Sequence, residues 1–362
     1  MQRHTTAHLF ASVSLFALAA CSSGGGGGAA PNTGTPATPP STQQTLITIG
    51  RTPAGFSYFG NTPTLASGTT PNFTSAPPPN GTSFPLNQAA LSVIRSSNAS
   101  ATPPNSITVG GTPGIAGTAT LQGSVVTGGV SYPVIGLNIP SLNINASGLR
   151  GDGALAAQSD GSKVGIAVTG LNYTLLGAWN YQSADGNKNI LGLAVAGYQT
   201  PNASVPTTGT ATYIGNASSG ATAGGVVGAV IMKSGSDNIA AATLSGNVNL
   251  NVDFASRQAN GTLSNMTAKD AISGVVTPWN NVTLTGNISS TDFSNDAPGA
   301  YLHGSAQAQA APTGATFGMS SSASGFMGGA LFGPNATEAG AGWSITDNDG
   351  KMAIGIFGAT KQ

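Results

Sequence analysis

The chain of 362 residues holds 11 basic and 11 acidic side chains and no net charge, with 53 glycines, 22 prolines and 6% charged residues. A chain this neutral has no positive field to hold phosphates, which sets nucleic-acid binding aside. Its one cysteine excludes both a disulfide framework and a cysteine-based zinc site. The hydrophobic fraction of 39% is ordinary, so few charges and many turn formers point to strands rather than helices.

Arg3 and His4 give a short polar start, and Leu9 to Ala20 is an apolar run too short to cross a bilayer as a helix. Leu18-Ala19-Ala20-Cys21 resembles the lipobox of bacterial lipoproteins. The resemblance predicts a signal peptide over residues 1–20 and lipidation, including palmitate, on Cys21 as the first mature residue. Ser22, standing where an aspartate would retain such a protein at the inner membrane, implies sorting to the outer membrane. Several acyl chains, at about 0.8 kcal/mol per buried methylene, make that anchor effectively permanent. Residues 21–45 read as a Gly/Ser/Pro tether, with Gly24 to Gly28 in one run and no apolar period.

From 46 to 205 the pattern is a loop-rich β region. Short apolar stretches such as Ser106 to Val109 and Gly165 to Val168 read as strands, Phe84 to Ile94 has helical spacing that allows one turn, and Pro77 to Pro79 reads as irregular. From 206 to 362 the pattern becomes regular, with about eight strand-like runs separated by turn signals, as an antiparallel barrel requires. Asn247 to Phe254 alternates, placing Val248, Leu250, Val252 and Phe254 inward and Asn247, Asn249, Asn251 and Asp253 outward. Asn281 to Ile288 repeats this with Val282, Leu284 and Ile288 inward. In Tyr301 to Ala310 the small residues Gly304, Ala306, Ala308 and Ala310 follow Leu302 on the inner face, while Tyr301, His303, Ser305, Gln307 and Gln309 face water. Asp347 to Gly350 reverses a hairpin between Ile345 and Met352. A barrel embedded in the membrane would carry an apolar outer band and aromatic girdles. Aromatics make up only 6% of this chain, and the alternation predicts a soluble barrel.

Particular words in the regular half carry a family resemblance. Phe326 to Glu338 reads Phe-Met-Gly-Gly-Ala-Leu-Phe-Gly-Pro-Asn-Ala-Thr-Glu and resembles a strand and turn of the form Gly-x-Phe-Tyr-Gly-Pro-x-Ala-x-Glu, with Leu331 in place of the first aromatic. Gly340-Ala341-Gly342-Trp343 is similar to the next strand start, and Gly355 to Lys361 matches a closing Gly-x-Phe-Gly-Ala-x-Lys. Upstream, Trp179, Tyr181, Tyr198 to Pro201 and Val205 to Gly215 are similar to the approach and entry of the same barrel. These words resemble the C-terminal barrel of transferrin-binding protein B and its relatives, a family of bacterial surface lipoproteins that includes factor H-binding protein. The resemblance covers about 172–362, and residues 46–150 loosely suggest the handle domain of such lobes, within a handle-like β region over 46–205. It implies an eight-stranded antiparallel soluble β-barrel after a handle-like β region, on a surface lipoprotein of the outer membrane. It also implies a protein ligand such as an iron or haem carrier, bound through barrel and handle loops, and a translocon that carries relatives to the cell surface. The other reading is a structural or adhesive envelope lipoprotein without a defined ligand.

Catalytic chemistry finds few residues. Of the three histidines, His4 and His8 lie in the signal peptide, so no site of several histidines or cysteines can hold zinc. His303 has no Gly-x-Ser-x-Gly partner motif and reads as a solvated strand residue. Gly151 to Ala156 fits a dinucleotide fingerprint only if a helix follows, and Arg150-Gly151-Asp152 reads as a turn. Asp292 with Asp296, and Asp347 with Asp349, likewise read as turn residues rather than calcium ligands or paired acids. Glu338, the sole glutamate, reads as an acceptor of backbone hydrogen bonds. The expectation is a binding protein, not an enzyme, with no catalytic residue, no resident metal and no cofactor, and with binding residues that the sequence does not name.

Overall fold

A computed structural model of the protein describes residues 58–59, 83–87, 117–127, 130–140, 143–184, 189–197, 199–200, 202–216, 224–234, 237–270, 273–291, 298–349 and 351–362. The leader, Cys21, the tether, Pro77 to Pro79, Ser106 to Val109, Asp292 and Asp296 lie outside the described residues. Every named element of three residues or more except one short 3-10 turn at Asn202–Ser204 is a β-strand.

Strands β1 (Tyr58–Phe59), β2 (Ser83–Asn87), β3 (Gly117–Thr127), β4 (Val130–Ile139) and β5 (Ile144–Arg150) form a five-stranded antiparallel sheet in chain order. The helical spacing after Phe84 is overruled at its start, because Ser83 to Leu86 pair with Thr120 to Gly117 and residues 84–87 are strand. Residues 88–94 are not among those described. A second sheet follows, built in order from β6 (Asp152–Ala157), β7 (Lys163–Gly170), β8 (Thr174–Gln182) and β9 (Asn189–Gly197).

The third sheet closes on itself. Its strands are β10 (Thr210–Asn216), β11 (Gly225–Ser234), β12 (Asp237–Asp253), β13 (Gln258–Asp270), β14 (Val276–Pro278), β15 (Val282–Thr291), β16 (Pro298–Ala308), β17 (Ser324–Phe332), β18 (Glu338–Thr346) and β19 (Met352–Lys361). Ten strands fill eight positions of an antiparallel barrel. The difference comes from two positions that are shared end to end. β10 and β11 both lie between β12 and β19, β10 pairing with Asn247 to Asp253 and β11 with Asp237 to Gly246. β14 and β15 both lie along β13.

Glycine makes the first break geometrically feasible. A Cβ on Gly215 would stand 2.1 Å from the carbonyl oxygen of Gly358 and 2.6 Å from the Gly225 nitrogen, so β10, β11 and β19 can meet there only without a side chain.

The alternation read in β12 and β15 holds. Val248, Leu250, Val252, Phe254, Val282, Leu284 and Ile288 are all buried in the barrel core. Leu302, Ala306 and Ala308 join them, whereas Ala310 lies past the end of β16 and is exposed. The interior is filled by large side chains, with Trp279 and Trp343 stacked at a tilt, ring centroids 6.2 Å apart. Trp343 lies across its register partner on β19, where a Cβ on Gly355 would meet the indole at 2.6 Å. Such a core is close-packed, leaving binding to the outside of the barrel.

Outside, the wall has two sectors. On β11, β16, β17 and β19 the outer residues Val227, Ala229, Tyr301, Ala330, Phe332, Met352, Ile354 and Ile356 are buried against Ala167, Leu176, Ala178, Leu193 and Val195 of the second sheet. On β12, β13, β15 and the far part of β16 the outer residues that reach solvent are mostly Asn, Thr, Ser and Gln, with Asp253 and Lys269 as charged exceptions. Tyr301 therefore departs from expectation. Period two assigned it to water beside His303 and Ser305, but the second sheet covers that part of the wall and leaves it 1% exposed.

Candidate functional site

Two places on the scaffold concentrate polar groups that do specific work. The first is the end of the barrel where the β11–β12, β13–β14, β16–β17 and β18–β19 connections emerge. Here the chain between β14 and β15 turns inward at Trp279 and Asn280, both buried. The Trp279 indole N–H donates to the Phe317 carbonyl at 2.9 Å. The Asn280 amide donates to the carbonyls of Gln309 (2.7 Å) and Met319 (2.9 Å), and its oxygen accepts the Met319 N–H at 2.8 Å. One side chain thereby holds both ends of the 309–323 connection, whose Phe317, Met319 and Ala323 plug the barrel core. The Lys351 ammonium adds a bond to the Gly318 carbonyl at 3.1 Å. Around this plug, residues 309–314 face solvent, and Val275 and Val276 on the neighbouring β13–β14 hairpin are 57% and 58% exposed. Anchored connections with exposed tips on a rigid wall are a common setting for a binding surface.

The second place is the seam between barrel and second sheet. The turn after β17 carries Gly333 at φ 75°, Asn335 at 54° and Ala336 at 55°, and it ends at Glu338. The Glu338 carboxylate accepts the N–H of Asn172 on Oε1 at 2.7 Å and that of Tyr173 on Oε2 at 2.9 Å, in the turn between β7 and β8. It is 1% exposed. Burial pushes its acid up to about 7, although hydrogen bonds from Tyr173, Thr174 and Asn172 pull the other way. Burial, and then the Glu338 charge, also raise the Tyr173 phenol above its ordinary value. Nearby, Thr200 donates its N–H to the Leu331 carbonyl and its hydroxyl to the Gly333 carbonyl, at 2.9 and 2.7 Å. The Tyr213 hydroxyl donates to the Ala336 carbonyl at 2.6 Å. Glu338 is thus an acceptor of backbone bonds, as its isolation in the sequence suggested, but its partners lie 166 and 165 residues away.

The remaining candidates fall as follows. His303 sits half-buried on the outer wall with its ring edge toward Tyr301, centroids 6.1 Å apart. Arg150 and Asp152 form an ion pair around Gly151, and a strand rather than a helix follows, which removes the dinucleotide reading. Asp347 Oδ1 accepts the N–H groups of Asp349 and Lys351 at 3.0 and 2.9 Å, so it shapes the β18–β19 hairpin. Among the described residues no three His, Cys, Asp or Glu side chains gather as metal ligands would. Thr200 and Tyr213 lie in the words that carry the family resemblance but were given no role of their own, and Asn280 was not singled out from the sequence. The signal for Asn280 is the Pro278-Trp279-Asn280-Asn281 interruption of the alternating pattern.

Residues 205–361 match the family described as the C-lobe and N-lobe beta barrels of transferrin-binding protein B. This part of the chain is similar to the barrels of that family. Structural similarity extends to a transferrin-binding protein B of Haemophilus parasuis Hp5, with 17% identity over 66% of this chain and 36% of that one, at a TM-score of 0.34. The isotype 1 transferrin-binding protein B of serogroup B Neisseria meningitidis gives 17% identity over 78% of this chain and 57% of that one, at a TM-score of 0.36. The N-lobe of lactoferrin-binding protein B of Moraxella bovis gives 12% identity over 56% of this chain and 80% of that one, at a TM-score of 0.33. The chain spans 36% and 40% of two of the transferrin-binding protein B chains it matches, less than two thirds of either. No curated protein sequence matches it. The matched family is one of binding proteins, not of enzymes.

Replacing Asn280 by Ala strands the buried N–H and carbonyl of Met319 and frees the part-buried Gln309 carbonyl, which at about 1–3 kcal/mol for each buried unsatisfied group is a large loss. Hydrogen exchange at the Met319 amide should accelerate strongly, and urea denaturation should show lower stability. An unchanged exchange rate would mean that the plug is held by its apolar contacts alone.

Glu338 makes stability depend on pH. Its carboxyl has an ordinary value of 4.5 and a folded value of about 7, so between these the folded chain keeps a proton that the unfolded chain has released. That contribution is full below about pH 4.5 and is lost as pH rises through 7, with a slope of at most roughly 1.4 kcal/mol per pH unit. Asp160 and Asp253, whose acids are lowered by turn hydrogen bonds, titrate below this window. The melting temperature should therefore rise on acidification from pH 8 to 5. Glu338→Gln should flatten that dependence, and a variant with the wild-type slope would show that Glu338 is not its source.

Proposed function

We propose that the protein is an outer-membrane, surface-exposed lipoprotein that captures a protein ligand, of the iron- or haem-carrier class, through the connections at the plugged end of its barrel and the sheets that precede it. The reading rests on the family match over residues 205–361, in a family named for binding transferrin, together with a packed interior that leaves recognition to exposed surfaces. The plug supports it further, since Asn280 and Trp279 order the 309–323 connection before any ligand arrives, lowering the entropy lost on binding. Membrane attachment comes from acyl chains on Cys21, with residues 22–45 as the tether that lets the folded part stand clear of the headgroups. A lipoprotein translocon of the kind that serves relatives would carry it to the surface.

Attachment is checked by feeding cells an alkyne analogue of palmitate. The wild-type chain should take up the label and sediment with membranes, whereas Cys21→Ala should do neither. Label in the Cys21→Ala protein would place the lipid elsewhere. For the ligand, the full chain immobilised in mild detergent should retain one saturable protein from serum or mucosal secretions, identified by mass spectrometry. Replacing Val275 and Val276 by Asp should weaken capture without lowering the melting temperature. Capture of nothing above background would overturn the binding reading in favour of a structural envelope lipoprotein.

A further inference from the structure

The uncovered sector of the barrel wall holds a patch without charge, bounded on one side by the row that carries Asp253 and His303. Soluble surfaces ordinarily intersperse lysine, arginine, aspartate and glutamate at about a quarter to a third of positions. Across this sector two complete rows of cross-strand neighbours carry no charge. In one row Ile214, Asn249, Thr262, Thr283, Gln307 and Ser324 stand side by side on β10, β12, β13, β15, β16 and β17. In the next row, two residues along each strand, stand Thr212, Asn251, Asn260, Thr285, Ser305 and Phe326. Each of these side chains is exposed or half-exposed, and Phe326, closing the second row, is 60% exposed.

We propose that this wall is a docking face for an uncharged polysaccharide. Amides and hydroxyls both donate and accept hydrogen bonds, as the hydroxyls of a sugar do. An ionic partner would meet no opposite charge on these two rows, the nearest being Asp253 in the adjoining row, and would lose hydration without compensation. A protein partner would find none of the clustered Trp, Tyr and Arg anchors that carry most protein–protein interfaces. The groups repeat at the strand spacing of about 4.8 Å in one direction and at two residues, about 6.8 Å, in the other, a lattice suited to a ligand that is itself a repeat. Phe326 offers an aromatic face at the row's end for the C–H face of a sugar ring. Several of the polar groups are already oriented. The Thr212 hydroxyl donates to Asn251 Oδ1 at 2.9 Å, the Asn251 amide donates to Asn249 Oδ1 at 3.4 Å, and the Gln309 amide donates to the Thr283 hydroxyl at 3.1 Å. The first row adjoins the 309–323 connection, where Gln309 and Ser321 bond Thr283 and Gln307, but the second row stands two residues farther along each strand from the loop tips, so substitutions in that row separate the two activities.

The test is native affinity electrophoresis of the full chain in mild detergent, through gels cast with dextran, laminarin or xyloglucan, and with alginate and heparin as charged comparators. At least one neutral polysaccharide should retard the protein while the charged ones do not. The pair Asn260→Lys and Thr285→Lys should weaken retardation by about tenfold or more, and Asn260→Glu should also weaken it, since a buried unpaired charge of either sign is penalised. Phe326→Ala should weaken it as well. Val276→Lys, on the loop end, should leave it unchanged, and circular dichroism melts should show all variants folded. Retardation by no neutral polysaccharide, retardation only by the charged ones, or binding that survives the lysine pair would each overturn the proposal.

Discussion

The second sheet lies directly on one sector of the barrel, and that contact sets constraints felt along much of the chain. For two β layers to approach, the outer residues of the underlying strands must be small or apolar, and here they are both. A Cβ on Gly340 would stand 2.8 Å from Thr174 and 3.0 Å from Val195, and one on Gly358 would stand 2.9 Å from Leu176. The glycines of the strand words that identify the family are thus, at these positions, the seats of a sheet rather than parts of a ligand site. Glu338 closes the seam where the barrel turn meets the β7–β8 turn. Buried N–H groups there need an acceptor, and a carboxylate serves two of them at once.

The barrel interior obeys a different demand. Closing eight positions around a filled core requires large and small residues to face each other, and Trp343 over Gly355 is the clearest case. Sharing a position between two strands then lets regular pairing break without opening the wall. One break falls between β10 and β11, beside Gly215. The other is the inward turn of Trp279 and Asn280, which uses the gap in the ladder to fasten the plug. The interruption of regular pairing and the ordering of the loop end are therefore a single feature.

Much of this was legible in the sequence, and the reasons for the rest are physical. Period-two alternation in β12 and β15 assigned the inward residues correctly because each strand has one wet face and one dry face. The turn at Asp347 was legible because its bonds are local chemistry, whereas Glu338 was legible as an acceptor in kind only. Tyr301 was misplaced because alternation separates the two faces of a strand but does not tell which stretch of the outer face a second layer will cover. The partners of Glu338 and the anchoring by Asn280 depend on contacts between residues far apart in the chain, which spacing within one strand does not encode. The helical spacing at Phe84 gave way to a strand since four residues pairing with β3 satisfy backbone groups that an isolated turn would leave to water.

The wall also decides how such a chain can meet a membrane. A barrel in the hydrocarbon needs its apolar residues outside, and this one places Val248, Leu250, Val252 and Leu284 inside with Asn249, Asn251, Thr283 and Thr285 out. Moving those amides and hydroxyls from water into lipid without partners would cost several kcal/mol apiece by water-to-hydrocarbon transfer, so the described barrel is a body for aqueous surroundings. Any permanent attachment must then come from outside the barrel, which is what a lipid on Cys21 would supply. The same uncovered wall, polar yet almost free of charge, keeps the barrel soluble through hydrogen bonds to water rather than through ionic hydration. Neutral hydroxyl-bearing partners can replace that water group for group, whereas ions cannot.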